Sequence, residues 1–497
     1  MNTRDKLAQA RRMAGGLTMI RIPGTELDTD TARFLRENHI RAVCLFRINM
    51  VNASQLSKLT ADLRATMGEN ALIAIDQEGG AVVRATWLPA APAAMALGAV
   101  DDPKLAYAVG AAVARGLKSL GFNWNFAPVM DLNSNPANPV IGERSFGDDP
   151  ARATELALAW MEGSLSEGVA CCVKHFPGHG DTHVDSHRDL PTVNKSRAAL
   201  EAFEFAPFKA AQHAPAIMSA HIVYPALDAT YPATMSHAIL TGLLRTEWGY
   251  RGIVITDGMD MQAIAGRYGV GKAAVAALAA GADMVMALGT KETQEQTLDA
   301  LLAAIAAGQF AAHDLAVRMA RLDNLAKAYP CAGGDYRCEN EDIALMAGAW
   351  QRSLTAYANP SAPPVGAAVR LVVREDAASD GIAEAGVSAL QVAALLGRIY
   401  DVSTVTFTDP DSFDWSALPD DGRVVILAST TRLPYGQHPR ATWRPDLHLA
   451  LWNPFQALDI AAPALMTYGF APPALDAVTA WLEGKIEAKG KIPYLKN

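Results

Sequence analysis

The stretch VACCVKHFPGHGDTHVDSH, residues 169–187, decides how this chain folds. Its first five residues are apolar, and Lys174 and His175 follow them directly. A short apolar run without alternating polar positions is typical of a strand that is buried on both faces. The sequence therefore predicts a buried strand that ends in two polar side chains and continues into a glycine-rich loop.

Histidines recur in this stretch at intervals of four residues, at His175, His179, His183 and His187. On an α-helix this spacing would bring the four rings to one face, where they could bind a metal ion. The proline at 177 and the glycines at 178 and 180 interrupt any helix, however. The pattern therefore favours a loop, and a metal-dependent hydrolase stays only a remote alternative.

Seven further apolar runs accompany this strand along the first two thirds of the chain, with helical stretches between them. The eight runs are 17–22, 42–46, 72–76, 122–129, 169–175, 216–221, 253–257 and 283–287. The clearest helical stretches are 103–120, 151–167, 198–212 and 291–307. Repeated strand–helix units imply a parallel sheet, and eight of them over about 300 residues fit a (β/α)8 TIM-like barrel. A doubly wound open sheet is the alternative.

Several of these runs end in polar or charged side chains. They are Asp76, Asp131 with the loop that carries Arg144, Lys174 with His175, His221, and Asp257. In such barrels the active site lies at the carboxyl ends of the strands. We therefore expect these side chains to share one rim. The alternative for each one alone is a charged residue that merely ends a strand at the surface.

Proline and glycine clusters around 329–338 and 359–364 mark a boundary and a linker. They divide the chain into a barrel domain at 1–335, a linker with a helix at 336–368, and a smaller α/β sandwich domain at 369–497. Strands are predicted in the last domain at 369–373, 402–407, 424–427, 447–452 and 464–467. This part of the sequence has no glycine-rich phosphate loop, so it predicts no nucleotide site.

The composition narrows the class of protein. The net charge is −9 without a basic tract, which makes nucleic acid an unexpected partner. The five cysteines are scattered, as in a reduced cytosolic protein, although Cys331 and Cys338 are close enough in sequence to pair. The N-terminus is polar and no apolar run is long enough to span a bilayer. We therefore expect a cytoplasmic protein without a signal peptide or membrane contact.

A carboxylate, Asp257, stands at the end of the seventh run and is followed by Gly258. This position suits a nucleophile, because the missing side chain at the next residue leaves room for a substrate. A residue that only caps the next helix is the equal alternative. For Asp260, the interpretation as an acid at the start of the following helix is preferred.

Asp185 and His187 are two residues apart, so in an extended loop both side chains point the same way. The carboxylate can then orient the imidazole, whose other nitrogen serves as a general acid and base. A purely structural Asp–His hydrogen bond is the alternative. Fixed charges at Asp76, Arg144 and Lys174 suit a polyhydroxylated ligand, and an internal salt-bridge network is the alternative there.

Together, these motifs resemble those of glycoside hydrolase family 3, and the Asp-Ser-His element resembles its β-N-acetylglucosaminidase branch. They are DQEGG at 76–80, IGERSFG at 141–147, KHFPGHGDT at 174–182, DSH at 185–187 and TDGM at 256–259. Weaker matches, NPF at 453–455 and YGFAPP at 468–473, extend the resemblance to the second domain. The departures are small: Glu143 stands where aspartate is common, and Gly258 where alanine or aspartate is common.

The resemblance implies a retaining mechanism with a covalent glycosyl-enzyme and without metal or cofactor. Asp257 would be the nucleophile, and His187, oriented by Asp185, the acid/base. The residues implied to hold the sugar hydroxyls are Asp76, Arg144, Lys174 and His175, with His221 as a weaker candidate. The partner is then a small carbohydrate with a terminal β-linked N-acetylglucosamine, such as a cell-wall fragment or a chitooligosaccharide. The oligomeric state is left open.

Three further functions stay open at this point. An imidazole acid/base does not repel an anion, so inorganic phosphate could replace water and give N-acetylglucosamine 1-phosphate. A β-glucosidase would use the same residues on another sugar. A catalytically inactive sugar-binding barrel is disfavoured, because Asp257 and the Asp185–His187 pair are all present.

Overall fold

Eight parallel strands in the first part of the chain close into a barrel. The computed structural model describes residues 3–183, 189–333, 336, 338–376 and 386–494. The barrel strands follow one another in chain order, and the last pairs with the first, so that Thr18 lies opposite Val285. They are β1 (Thr18–Ile20), β2 (Ala42–Leu45), β3 (Leu72–Ile75), β4 (Trp124–Asn125), β5 (Ala170–Phe176), β6 (Ala216–Ser219), β7 (Ile253–Gly258) and β8 (Met284–Ala287). The predicted (β/α)8 barrel is confirmed, because all eight apolar runs form its strands.

Helices follow the strands and cover the outside of the barrel. They are α1 (Thr3–Gly16), α2 (Thr29–Glu37), α3 (Ala53–Met67), α4 (Ala94–Val100), α5 (Pro103–Ser119), α6 (Pro150–Ser166), α7 (Arg197–Ala202), α8 (Phe205–Ala210), α9 (Gln262–Tyr268), α10 (Val270–Ala280), α11 (Lys291–Ala306) and α12 (Ala312–Ala328). Between β6 and β7 the chain forms a π-helix at Ala238–Glu247. The apolar faces of these helices cover the outer face of the barrel sheet, and side chains fill its interior. The strands are therefore buried on both faces, as is usual for a parallel sheet.

One predicted helix of the barrel, 198–212, is divided into α7 and α8. The backbone leaves the helical conformation at Phe203, which has φ −130° and ψ −82°. Pro207 lies four residues further on, and its ring would clash with the carbonyl of Phe203 in a continuous helix. The break also lets Phe205 and Phe208 bury their rings beside Trp248 and Phe176.

A second sheet of six strands forms the rest of the molecule, in the order β11-β10-β12-β13-β14-β9. Its strands are β9 (Thr355–Tyr357), β10 (Ala368–Arg374), β11 (Asp401–Phe407), β12 (Val424–Ser429), β13 (Leu447–Ala450) and β14 (Ala464–Met466). Five are parallel and were predicted; β9 is antiparallel, lies at one edge, and was not. The accompanying helices are α13 (Asn340–Ser353), α14 (Ala389–Leu396), α15 (Gln437–Thr442), α16 (Gln456–Asp459) and α17 (Pro472–Leu482).

The central strands β10, β12 and β13 of the second sheet are mostly buried, which explains their mostly apolar sequences, whereas the edge strand β11 is partly exposed. On β10, Leu371 packs into one apolar cluster with helices α14 and α17, whereas its neighbour Val372 packs into another. The second cluster is aromatic, with Trp443 touching the rings of Phe407 and Trp415. The predicted smaller α/β domain is confirmed.

All five cysteines are free thiols, so Cys331 and Cys338 do not pair. Cys331 is buried and donates a hydrogen bond to the carbonyl of Gly121. Among the described residues, no helix is both long enough and apolar enough to cross a bilayer.

A buried histidine, His448, is expected to make the stability of the second domain depend on pH. Burial lowers the pKa of His448, on β13, to about 3, and its Nε2 lies 2.5 Å from Ser429 Oγ. The unfolded chain titrates this position near pH 6.5. Between these values only the unfolded state takes up the proton, so stability falls as the pH drops below about 6.5.

We expect the free energy of unfolding to fall, between pH 7 and pH 5, by about 2 kcal/mol more in the wild type than in His448→Gln. Urea unfolding at both pH values measures this difference. His313→Gln, on the exposed surface of α12, is the control and should retain the wild-type pH dependence. Equal losses in wild type and His448→Gln would contradict the expectation.

Candidate active site

A cavity of about 430 Å3 opens at the carboxyl ends of the barrel strands. Five of the eight predicted site residues line it: Asp76, Arg144, Lys174, His175 and Asp257. They come from the ends of β3, β5 and β7 and from the loop after β4. The carboxyl ends of all parallel strands lie at the same rim of the barrel. The structure thus brings together side chains that are up to 181 positions apart in sequence.

Lys174 is the most buried charge of this cavity, with 2% of its side chain exposed. Its Nζ lies 2.6 Å from Asp76 Oδ1 and 2.6 Å from Glu78 Oε1. Burial alone would lower the pKa of this ammonium, but the two carboxylates outweigh it and raise the pKa above its ordinary value. The two carboxylates therefore favour the charged form of Lys174.

Arg144 and Glu78 form a bidentate ion pair beside Lys174. Arg144 Nε and Nη2 donate to the two Glu78 oxygens over 2.9 and 2.8 Å, and Nη1 donates to the carbonyl of Val140 over 3.1 Å. Burial would raise the pKa of Glu78, but Arg144 and Lys174 hold it well below the ordinary range. The loop reaches this position through Gly142, whose φ of +47° lies in the region that favours glycine.

No role was predicted for Glu78, although its motif was singled out. The available signal was the pair of acids in Asp76-Gln77-Glu78, placed at a strand end that also meets two cations. Side chains two residues apart point to the same side of an extended chain, which lets both acids reach Lys174. Glu78 is thus a part of the site that sequence reasoning missed.

Asp131, for which no contact was predicted, holds the backbone and the ring of His175 in place. Its Oδ2 lies 2.7 Å from His175 Nδ1, and its carboxylate accepts from the backbone N–H of His175 and His179 at 3.1 and 2.7 Å. Burial would raise the pKa of Asp131, but His175 outweighs it and the pKa is lowered. Because a carboxylate accepts, Nδ1 of His175 carries the hydrogen.

His179 lines the same cavity as a neutral ring. Burial, together with the neighbouring His175, lowers the pKa of His179 to about 4. Its ring meets the His175 ring edge to face, with centroids 5.6 Å apart. Thr182 Oγ1 lies 3.0 Å from His179 Nδ1, so the loop after β5 is packed back on itself up to this residue.

Asp257 is the second-last residue of β7, is half-buried and lines the cavity. Its Oδ1 accepts a hydrogen bond from the backbone N–H of Gly258 over 2.7 Å. Asp257 thus lies near a strand end and lines the cavity, as expected, and its role as the nucleophile stays a prediction.

The predicted sugar contact of His221 stays a prediction. Its Nε2 lies 3.0 Å from the carbonyl of Gly258 and its Nδ1 lies 2.9 Å from Thr234 Oγ1. Among the described residues that line the cavity, His221 does not occur. In this structure the ring contacts the backbone beside Asp257.

The interpretation of Asp260 as a helix N-terminal acid is wrong. Helix α9 begins two residues later, at Gln262, and Met261 is the residue that precedes it. Asp260 lines the cavity instead, and burial raises the pKa of its carboxyl. The cavity therefore holds a second carboxylate on the same loop as Asp257.

Asp185 and His187, the predicted acid/base pair, lie outside the described residues. Of the four evenly spaced histidines, His175 and His179 are buried at the cavity, whereas His183 is exposed and its Nδ1 contacts Asn135 Nδ2 at 3.1 Å. Within the described ranges, no group of three or more metal-binding side chains comes together.

The sequence of the barrel matches a known family. The family model for the glycosyl hydrolase family 3 N-terminal domain matches residues 3–325. The chain belongs to glycoside hydrolase family 3. The resemblance carried by the motifs at 76–80, 141–147, 174–182 and 256–259 is thereby confirmed.

Relatives within family 3 include bacterial β-hexosaminidases. The chain is 36% identical to the β-hexosaminidase of Bordetella avium over 296 residues, which cover 58% of this chain and 84% of the relative. It is 38% identical over 286 residues, 53% of this chain, to β-hexosaminidase A of Pseudoalteromonas piscicida, but spans only about half (48%) of that protein.

The two-domain arrangement is that of a solved family 3 structure. A β-N-acetylglucosaminidase from Paenibacillus sp. str. FPU-7 superposes with a TM-score of 0.86 and 32% sequence identity. The match covers 98% of both chains, so the second domain is shared as well as the barrel.

The buried pair of Arg144 and Glu78 should matter far more for stability than an exposed pair of the same kind. Removing one partner of a buried pair leaves an uncompensated charge. We expect Glu78→Gln to lower the free energy of unfolding by about 3 kcal/mol. In the control, Glu247→Gln, the pair with Arg197 is about half exposed, and the loss should stay below about 1 kcal/mol. Chemical denaturation measures both, and equal losses would contradict the expectation.

Proposed function

We propose that this family 3 enzyme is a retaining β-N-acetylglucosaminidase that removes terminal β-linked N-acetylglucosamine. The observation that carries the proposal is Asp257, half-buried near the end of β7 in a cavity that the cations Lys174 and Arg144 also line. The names of the relatives, β-hexosaminidase and β-N-acetylglucosaminidase, support the choice of sugar.

In the first step, Asp257 forms a bond to the anomeric carbon while the bond to the leaving oxygen breaks. His187, oriented by Asp185, gives that oxygen its proton. In the second step His187 takes a proton from water, and the water oxygen displaces Asp257 from the anomeric carbon. Two displacements at one carbon give net retention of the β configuration.

The sugar hydroxyls would be held by Asp76, Arg144, Lys174 and His175. Lys174 has three N–H donors, and its contacts to Asp76 and Glu78 engage two of them. Arg144 has five, of which three are engaged by Glu78 and Val140. The remaining donors and the carboxylate oxygens of Asp76 supply the donors and acceptors that vicinal hydroxyls need.

We propose, with this activity, a role in the cytoplasmic recycling of cell-wall fragments. Family membership and the bacterial sources of the relatives support this role. Fractionation of the source cells, with the activity measured in the soluble cytoplasmic fraction, tests the location.

A second candidate acceptor is inorganic phosphate. Three further cations, Arg21, Arg47 and Arg84, line the same cavity, and a cationic lining favours an anion. Phosphate in place of water would give N-acetylglucosamine 1-phosphate, with Asp257 again the leaving group of the second step.

We expect the 4-nitrophenyl β-glycoside of N-acetylglucosamine to be hydrolysed at least about 100-fold faster, in kcat/KM, than those of glucose and xylose, as the names of the relatives indicate. Release of nitrophenol measures this, and proton NMR of the first-formed anomer should show the β form. Asp257→Asn should lose roughly 1000-fold or more of kcat. Asp260→Asn, the matched carboxylate of the same loop, should lose much less.

Two results would contradict the proposal. A preference for glucose by a wide margin would overturn the choice of sugar, and equal turnover by Asp257→Asn and wild type would overturn the nucleophile. Adding phosphate decides the acceptor, because sugar 1-phosphate in the products indicates phosphorolysis and free sugar alone rejects it.

A further inference from the structure

The second domain contacts the back of the loop that carries Arg144. All described residues that line the cavity belong to the barrel, between Arg21 and Leu288. Within the described residues, the second domain therefore affects the proposed sugar through the barrel residues that it touches. Two of its side chains, Arg432 and Trp452, touch the segment 140–144.

These two side chains bind a buried carboxylate. Trp452 Nε1 donates to Glu143 Oε1 over 2.8 Å, and Arg432 Nη2 lies 3.3 Å from the same oxygen. Glu143, Arg432 and Trp452 are each at most 4% exposed. A buried carboxylate with one hydrogen bond from Trp452 and one ion pair with Arg432 is held in one place, because moving it would break both contacts without water to replace them.

The backbone carbonyl of Val140 connects this contact to the sugar-binding side. It accepts from Arg432 Nη1 over 2.8 Å and from Arg144 Nη1 over 3.1 Å. One carbonyl therefore fixes the guanidinium of the second domain and the guanidinium of the cavity. Arg144 in turn pairs with Glu78, and Glu78 pairs with Lys174, so the position of Arg144 also affects that of Lys174.

The topology of the second domain explains why its side chains can contact the loop at 140–144. The order of its parallel strands, β11-β10-β12-β13-β14, is that of a doubly wound sheet, which binds ligands beyond the carboxyl ends of its strands. Arg432 follows β12 and Trp452 follows β13, on that edge. The Glu143 carboxylate thus contacts two residues that follow the carboxyl ends of β12 and β13.

Arg432 and Trp452 also hold each other. The guanidinium carbon of Arg432 lies 5.5 Å from the centre of the Trp452 ring, and Asn453 Nδ2 donates to the backbone carbonyl of Arg432. The ring of Trp452 packs against Phe470, at a centroid distance of 4.7 Å, and against Ala81 of the barrel. Arg432 and Trp452 therefore act on the loop as one connected unit, which we call the clamp.

We propose that Arg432 and Trp452 are positioning residues for sugar binding: by holding Val140 and Glu143 they set Arg144 against its ligand. This proposal rests on the proposed function of the cavity. It makes the second domain necessary for affinity toward the sugar, although it contributes no side chain to the cavity among the described residues.

The test compares Trp452→Phe with Trp443→Phe. Both remove one buried indole N–H and keep an aromatic ring, but Trp443 Nε1 has no hydrogen-bond partner among the described residues. The substrate is the nitrophenyl glycoside that the wild type turns over fastest. We expect Trp452→Phe to raise KM about tenfold with kcat changed less than threefold, since loss of an equal contact to ground and transition state acts on KM. Trp443→Phe should leave KM unchanged.

Arg432→Lys is the second variant, because a lysine keeps the charge but cannot bind Val140 and Glu143 as a planar fork. It should raise KM in the same way, and it replaces Trp452→Phe if that variant does not fold. An unchanged KM in the folded variants overturns the proposal. A lower kcat at constant KM, with a reduced folded fraction, also overturns it, because that is the result of a merely structural contact.

Hydrogen–deuterium exchange of the peptide spanning 140–147 separates this proposal from the proposed function. It requires no substrate, so it is informative even if no glycoside is hydrolysed. We expect faster exchange of this peptide in Trp452→Phe and in Arg432→Lys than in the wild type and Trp443→Phe. Equal exchange in all four proteins would overturn the clamp itself.

Discussion

The mouth of the barrel depends on one buried ammonium group, that of Lys174, and on the two carboxylates that hold it. Removing such a charge from water costs several kcal/mol unless close partners replace the water. Asp76 and Glu78 do so at 2.6 Å each, and Arg144 completes the charge balance of Glu78. The loops after β3 and β4 are therefore fixed relative to the end of β5 by the need to keep these charges paired.

The charges around Lys174 are connected to two further parts of the structure. Along β5, the next residue, His175, is fixed by the Asp131 carboxylate, so two adjacent side chains at the cavity have independent anchors. Through Arg144, the network ends on a backbone carbonyl that a guanidinium of the second domain also binds. A ligand that exchanges hydrogen bonds with these groups meets donors that are already oriented, which lowers the cost of ordering them on binding.

Much of this arrangement could be predicted from the sequence, because buried parallel strands have continuous apolar runs and their polar ends meet at one rim. Local patterns could not predict the rest. The direction of the Asp260 side chain depends on where α9 begins, and the ring of His221 turns to a carbonyl that only the fold brings near. The contact of Glu143 with Trp452 joins residues 309 positions apart, for which the sequence carries no local signal.

The most direct test of this account is a double-mutant cycle between Lys174→Met and Glu78→Gln, with affinity for N-acetylglucosamine measured by isothermal titration calorimetry. If the charges act as one unit, each single variant should bind the sugar about as weakly as the double variant, with a coupling of at least about 1 kcal/mol. Additive losses in variants that remain folded would show that Lys174 and Glu78 act independently, which would contradict the account.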